Sequence, residues 1–182
     1  NTDKLTDSNT MHWTGPPQPI DGRVRIDGKA YRFMGRERRG DVPALEQVAR
    51  SITPTHTFYE FKQAGVDLHL AFFTPTILSD LDILSRPVTY LTWTAQSTDG
   101  ASHDVSVLLD VDPIIAVNDP SEQVVYTRNQ TATSNVLSVG SRDQNVLNRS
   151  GDNLRIDWGY FHLVVPRDEQ ATTAIAAGGR HD

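Results

Sequence analysis

Cysteine is absent from the 182 residues, so disulfides, thiol catalysis and cysteine-ligated zinc are all excluded. The compartment stays open, because many oxidised-compartment proteins also lack it. No run of eighteen apolar residues occurs, which leaves no segment able to cross a membrane as a helix. A signal peptide is not visible either. Positive charge is also scarce: Lys and Arg number 17 against 23 Asp and Glu, for a formal net charge of -6. That balance argues against a nucleic-acid partner, which would need a basic patch for phosphates. The one basic cluster, Arg36, Arg38 and Arg39, sits beside Glu37 and Asp41 and reads as a solvated loop.

What is present is globular. Hydrophobic residues make up 37% and charged ones 22%, enough apolar surface in 20.2 kDa for one sizeable core. The opening Asn1-Thr2-Asp3-Lys4 and the closing Gly178-Gly179-Arg180-His181-Asp182 give both ends the look of cuts from something longer.

Period-2 alternation dominates. Ile20, Val24 and Ile26 alternate with Asp21, Arg23 and Arg25; Asp27-Gly28 then supplies a tight turn, and Tyr31 and Phe33 resume the pattern. A second hairpin runs from Thr57 through Ala64-Gly65, with Val66, Leu68, Leu70 and Phe72 on one face and Asp67 and His69 on the other. A third is expected to join Val88–Ser97 to Val105–Val111 through Asp99-Gly100. Prolines 75, 87, 113, 120 and 166 fall at strand ends, and 112–123 and 140–153 read as loops. Asp41–Arg50 fits either a short capped helix or the lead into a strand. Asp168–Ala177 fits a helix stopped by Gly178-Gly179. Hairpins with one apolar face each must bury it against a second sheet. The expected fold is therefore all-β, an antiparallel β-sandwich with at most one or two short helices. Its organisation is an N-terminal loop segment over 1–19, a β-sandwich over 20–167, and a linker or short helix over 168–182.

Legible chemistry is sparse. There is no G-x-S-x-G elbow, Ser-x-x-Lys, H-E-x-x-H, P-loop or dinucleotide fingerprint. The histidines at 12, 56, 69, 103, 162 and 181 show no metal-ligand spacing, and His69 and His162 read as polar-face residues. No metal or cofactor is expected. Asp80-Leu81-Asp82 and Asp110-Val111-Asp112 each put two carboxylates on one side of an extended chain, a pattern for calcium or acid–base work; the plainer reading is a solvated turn. Asn129 and Asn148 begin glycosylation sequons that matter only in a secreted eukaryotic protein. Two stretches stand out. Met11-His12-Trp13-Thr14-Gly15 places a Trp in a loop before any strand. Arg155-Ile156-Asp157-Trp158 reads as a strand with a carboxylate beside a large aromatic. Such a pair can stack on a ligand while the carboxylate fixes it. Equally, Trp158 can plug the core while Asp157 pairs with Arg155 or a backbone donor. His12, Trp13, Asp157 and Trp158 are the candidate ligand or domain-interface residues.

The blocks "DKLTDSNTMHWTG", "IDGKAYRFMG", "ITPTHTFYEF", "FFTPTILSDLDILSRPVTYLTW" and "GDNLRIDWGY" resemble, in collinear order from about Asp3 to Pro166, the N-terminal region of glutaminase A-type proteins. These are large extracytoplasmic enzymes of fungi and bacteria. The family's upstream strand is missing before Asp3, and so is the helical toroid that follows the region corresponding to this chain. The resemblance implies that the complete protein hydrolyses L-glutamine to L-glutamate and ammonia, is secreted or periplasmic, and partners this region with a C-terminal helical domain. It carries no catalytic residue onto this segment, which is expected not to be catalytic alone. Two alternatives stay open: the N-terminal domain of a glycoside hydrolase-like enzyme, with Trp13 and Trp158 as sugar-stacking candidates, or a carbohydrate-binding module.

Overall fold

A computed structural model describes residues 3–38, 40–167 and 170–176. The chain divides into two compact units: Asn1–Ser8 with Asp21–Leu109, and Asn9–Ile20 with Asp110–Asp182.

The first unit carries two antiparallel sheets. β1 (Ile20–Ile26) pairs with β2 (Lys29–Met34), and β7 (Val105–Val111) flanks β1 on its other edge, giving the order β2-β1-β7. Asp27 and Gly28 both take positive φ, as this tight hairpin turn requires. The second sheet, in the order β3-β4-β5-β6, is built from β3 (Glu46–Ile52), β4 (His56–Gln63), β5 (Val66–Phe73) and β6 (Tyr90–Ser97). Asp41–Arg50 thus leads into a strand rather than forming a helix. Pro43 lends its carbonyl to the Arg32 N–H at 2.9 Å, and Leu45 donates to the Arg32 carbonyl at 2.8 Å. These bonds hold the backbone extended before a helical turn can close.

Alternation does the rest. Val24, Ile26, Tyr31 and Phe33 from one sheet and Tyr59, Phe61, Val66, Leu68 and Leu70 from the other are all buried. The Phe33 and Phe61 rings meet edge-on at 6.2 Å. Gly22 makes this possible, because a Cβ there would come within 2.2 Å of the edge of the Phe33 ring. The unit is a β-sandwich. At its margin, Gln47 binds the N-terminal segment with both ends of its amide: Nε2 donates to the Asp3 carbonyl (2.7 Å), and Oε1 accepts from the Leu5 N–H (3.0 Å).

The expected third hairpin is not formed. β6 pairs with β5 and β7 with β1, so the chain after Ser97 leaves one sheet for the other. Period-2 alternation is the same in either sheet and cannot encode this choice.

Among the described residues the second unit holds one sheet, ordered β10-β9-β8, from β8 (Val124–Gln130), β9 (Ser134–Ser141) and β10 (Phe161–Pro166). The segment 9–20 belongs to this unit: Asp112 donates its N–H to the Pro19 carbonyl (3.1 Å), and Gln18 Nε2 reaches the Ile115 carbonyl (3.3 Å). Helix is confined, among the described residues, to α1 (Leu81–Leu84) and a 3-10 turn at Pro113–Ala116. Their N-caps explain the two Asp pairs. Asp80 accepts from the Ile83 N–H and Asp112 from the Ile114 N–H, each at 3.0 Å, so one carboxylate of each pair begins a helical turn. Of the stretch expected to be a C-terminal helix, residues 170–176 carry no regular structure; Asp168, Glu169 and Ala177 lie outside the described residues.

Candidate functional site

Trp13 sits at the tip of a tight loop. The bridge Met11–Pro17, the His12 N–H to Pro16 carbonyl bond and the Gly15 N–H to His12 carbonyl bond (both 2.9 Å) close it, and Gly15 takes φ +107. His12 Nδ1 lies 2.8 Å from Thr14 Oγ1, and the His12 and Trp13 rings tilt together at 5.6 Å. A fixed backbone thus presents an indole that is 87% exposed.

The second candidate stretch is a loop, not the start of a strand, and β10 begins only at Phe161. Gln144 causes this. Its Oε1 accepts from the Gly159 N–H (2.7 Å) while its Nε2 donates to the Gly159 carbonyl (3.1 Å), which removes both groups from any ladder. Gly159 adopts φ +84, and Asn153, at φ 65, turns the chain earlier. Asp157 is buried and pairs with Arg149 (2.7 Å), not with Arg155; Arg149 also reaches Glu122 (3.3 Å). Arg155 is buried too, with its own N–H on the Asn118 side-chain oxygen (2.9 Å). Side chains at 157 and 158 diverge: the carboxylate is buried and Trp158 stays 36% exposed, not in the core. Among the described residues, no hydrogen bond, ion pair or ring contact links His12 or Trp13 to Asp157 or Trp158.

Elsewhere in this unit, hydrogen bonds from the Ser121 hydroxyl and then its N–H hold the Asp119 carboxyl below its usual range. His162 engages Ser138 Oγ at 2.7 Å, a polar-face role.

Two surface features of the first unit escaped sequence reasoning. One is a row of rings across the four-stranded sheet. The register sets His56 opposite Phe73 and Phe73 opposite Tyr90; His56 stacks on Phe73 at 4.3 Å and on Phe58 at 5.3 Å, and Phe73 on Tyr90 at 5.9 Å. With Ala71 and Thr92 they line an open groove of about 450 Å³. Its chemistry is stacking, with hydroxyls at the margin. Counting residues outward from Ala64-Gly65 would have paired His56 with Phe73, but Tyr90 joins them only through the β5–β6 register. The other feature lies between β5 and β6, where Ile77, Leu78, Leu81, Leu84 and Val88 are exposed and α1 buries none of its residues.

These features define an all-β protein of sandwich-like form whose apolar groups lie partly outside its cores. The chain belongs to the family described as "Domain of unknown function (DUF5127)", which matches residues 55–181. A second such family, DUF4964, matches residues 1–42. The chain is also similar to glutaminase A of Aspergillus oryzae (strain ATCC 42149 / RIB 40), with 27% identity over 100 residues. That stretch is 54% of this chain and 14% of the relative, so the chain spans only a small part of the relative's length. No solved structure matches.

Proposed function

We propose that this chain is the non-catalytic N-terminal β-sandwich domain of a glutaminase A-like amidohydrolase, which in its longer form converts L-glutamine to L-glutamate and ammonia. The similarity to glutaminase A carries the reading. The surface supports it. Leu78 and Leu81 of the α1 region stand 79% and 73% exposed on a unit that already has a packed core, as expected of a domain that docks against further chain. Under this reading the α1 region docks against a helical domain that supplies the catalytic groups, and the protein acts outside the cytoplasm.

Ammonia release from glutamine, measured for the longer protein and for residues 1–182 beside a panel of glycosides, tests the proposal. Turnover by the longer protein and none by the chain alone is expected. Glycoside cleavage without ammonia release would transfer the reading to a glycoside hydrolase-like enzyme. Glutamine turnover by residues 1–182, abolished by one substitution within them, would end it.

A further inference from the structure

Three turns of the first unit converge on one imidazole. His103 Nδ1 lies 2.7 Å from Asp27 Oδ2, in the β1–β2 turn, and Nε2 lies 3.0 Å from Asp99 Oδ1, in the segment that follows β6. The His103 side chain is only 10% exposed. Asp27 is held further by the Asp104 N–H (2.9 Å) and returns its own N–H to the Asp104 carbonyl (2.9 Å). Asp99 accepts from the Ala101 N–H (2.9 Å) and Ser97 Oγ (3.2 Å). The third turn, Ala64-Gly65, closes against the same point: a Cβ on Gly65 would strike the Asp99 carboxylate and come within 3.0 Å of His103 Nε2. Gly65 also accepts the Thr98 N–H at 2.8 Å. The charged groups around that turn are Glu46, Lys62 and Asp67, of which Lys62 and Asp67 pair with each other at 3.5 Å.

A neutral imidazole has one N–H and one lone pair. It can donate to one of these carboxylates, but it would then turn its lone pair on the other. Opposite two ionised carboxylates only the imidazolium donates to both, and ionisation makes each bond charge-assisted. We propose that His103 is a proton-operated clip, joining the β1–β2 turn of one sheet to the post-β6 segment of the other in mildly acidic solution and loosening them as the medium becomes alkaline. The proposal stands apart from any glutaminase reading, since it concerns the sandwich alone.

The same bonds set the direction in which each group is displaced. The bond to Asp27, then that to Asp99, pushes His103 above its usual value. The bond to His103, then the Asp104 N–H, lowers Asp27. The Ala101 N–H, then His103, lowers Asp99. A raised histidine contributes stability that is complete below its unfolded value of about 6.5 and lost as pH climbs through the folded one. The depressed carboxylates contribute above their unfolded value of about 4 and lose that as pH falls through their folded values. The clip therefore contributes in full between about pH 4 and about pH 6.5, and it opens as pH climbs through the raised His103 value or falls through the lowered carboxylate values.

The test is NMR of the 182-residue chain, following the assigned His103 ring proton through a pH titration, with urea unfolding of wild type and His103→Gln at about pH 5.5 and about pH 8.5. The expected results are a His103 midpoint above that of a free histidine, its fall in Asp27→Asn and in Asp99→Asn, and a smaller gap between wild type and His103→Gln at the higher pH. A midpoint at or below the free value, or a gap equal at both pH values, overturns the proposal. Should His103→Gln fail to fold, the wild-type midpoint still decides.

Discussion

Ala64 holds its backbone at φ +49, a region in which a Cβ crowds the following carbonyl. The β4–β5 turn needs that conformation, so the strain is built into the first unit. Replacing Ala64 with Asn, which tolerates the left-handed region, should raise stability by about 0.5–1 kcal/mol in urea unfolding. Asp41 makes the opposite case. Its carboxylate, 3% exposed, receives Arg23 at 3.1 Å and buried Arg32 at 3.2 Å. Asp41→Ala strands a guanidinium in the interior and should cost roughly 3–5 kcal/mol by the same measurement. Trp13→Ala removes an indole that covers almost nothing in this chain, so its unfolding midpoint should move by no more than about 0.5 kcal/mol equivalent. A large loss there would show that the loop depends on its aromatic tip.

At the scale of elements, the outcome turns on whether a turn and its strands agree. Gly22→Ala would force β1 away from Phe33 and should destabilise the sandwich by about 1–3 kcal/mol, the usual penalty for overpacking; a neutral result would mean the Phe33 ring can swing aside. The α1 region predicts a contrast instead. Leu81→Asp should leave the stability of this chain nearly unchanged, because nothing described covers Leu81, yet impair the longer protein if that surface docks. The β1–β2 and β4–β5 hairpins were legible in sequence because Asp27-Gly28 and Ala64-Gly65 turn the chain within two residues between strands that pair with each other. At Asp99-Gly100 the local signal is similar, but Asp99 is engaged by His103 and Ala101, and the chain is handed to the other sheet. Nothing within a few residues of the turn records that. The stretch around Asp157 misled for a related reason: Gln144 and Arg149, eight or more residues away, occupy the backbone and charge that would otherwise have made a strand. Of the site candidates, Trp13 was legible as a loop aromatic, because no strand residues precede it. The ring row His56-Phe73-Tyr90 was not, because its members become neighbours only through register.

At the scale of the molecule, family boundaries and structural units cut the chain differently. The matched regions end at residue 42 and resume at 55, leaving β3 between them, although β3 pairs with β4 along its length. Residues 9–20 fall within the first matched region, yet their partners Asp112 and Ile115 lie in the second. A fragment of residues 1–42 should therefore be unfolded by circular dichroism, since it has β1 and β2 but neither β7 nor the facing sheet. A fragment of 55–181 should expose Phe61, Leu68 and Leu70 and aggregate. A well-dispersed NMR spectrum from either fragment would mean that the matched regions fold independently of the units seen here. The described residues of 3–8 and 21–109 form one compact unit assembled from distant stretches of chain, which explains why short motifs taken singly say so little about it.

The placement of the three tryptophans has a spectroscopic consequence. Trp13, Trp93 and Trp158 are 87%, 43% and 36% exposed, so each indole already meets water in the folded chain. Native emission should sit towards the red and shift little on denaturation, which makes it a poor gauge of folding. For the same reason it is a sensitive gauge of contact: any surface that closes over the His12–Gly15 loop must desolvate Trp13, and the resulting blue shift can be read at micromolar concentration without a label.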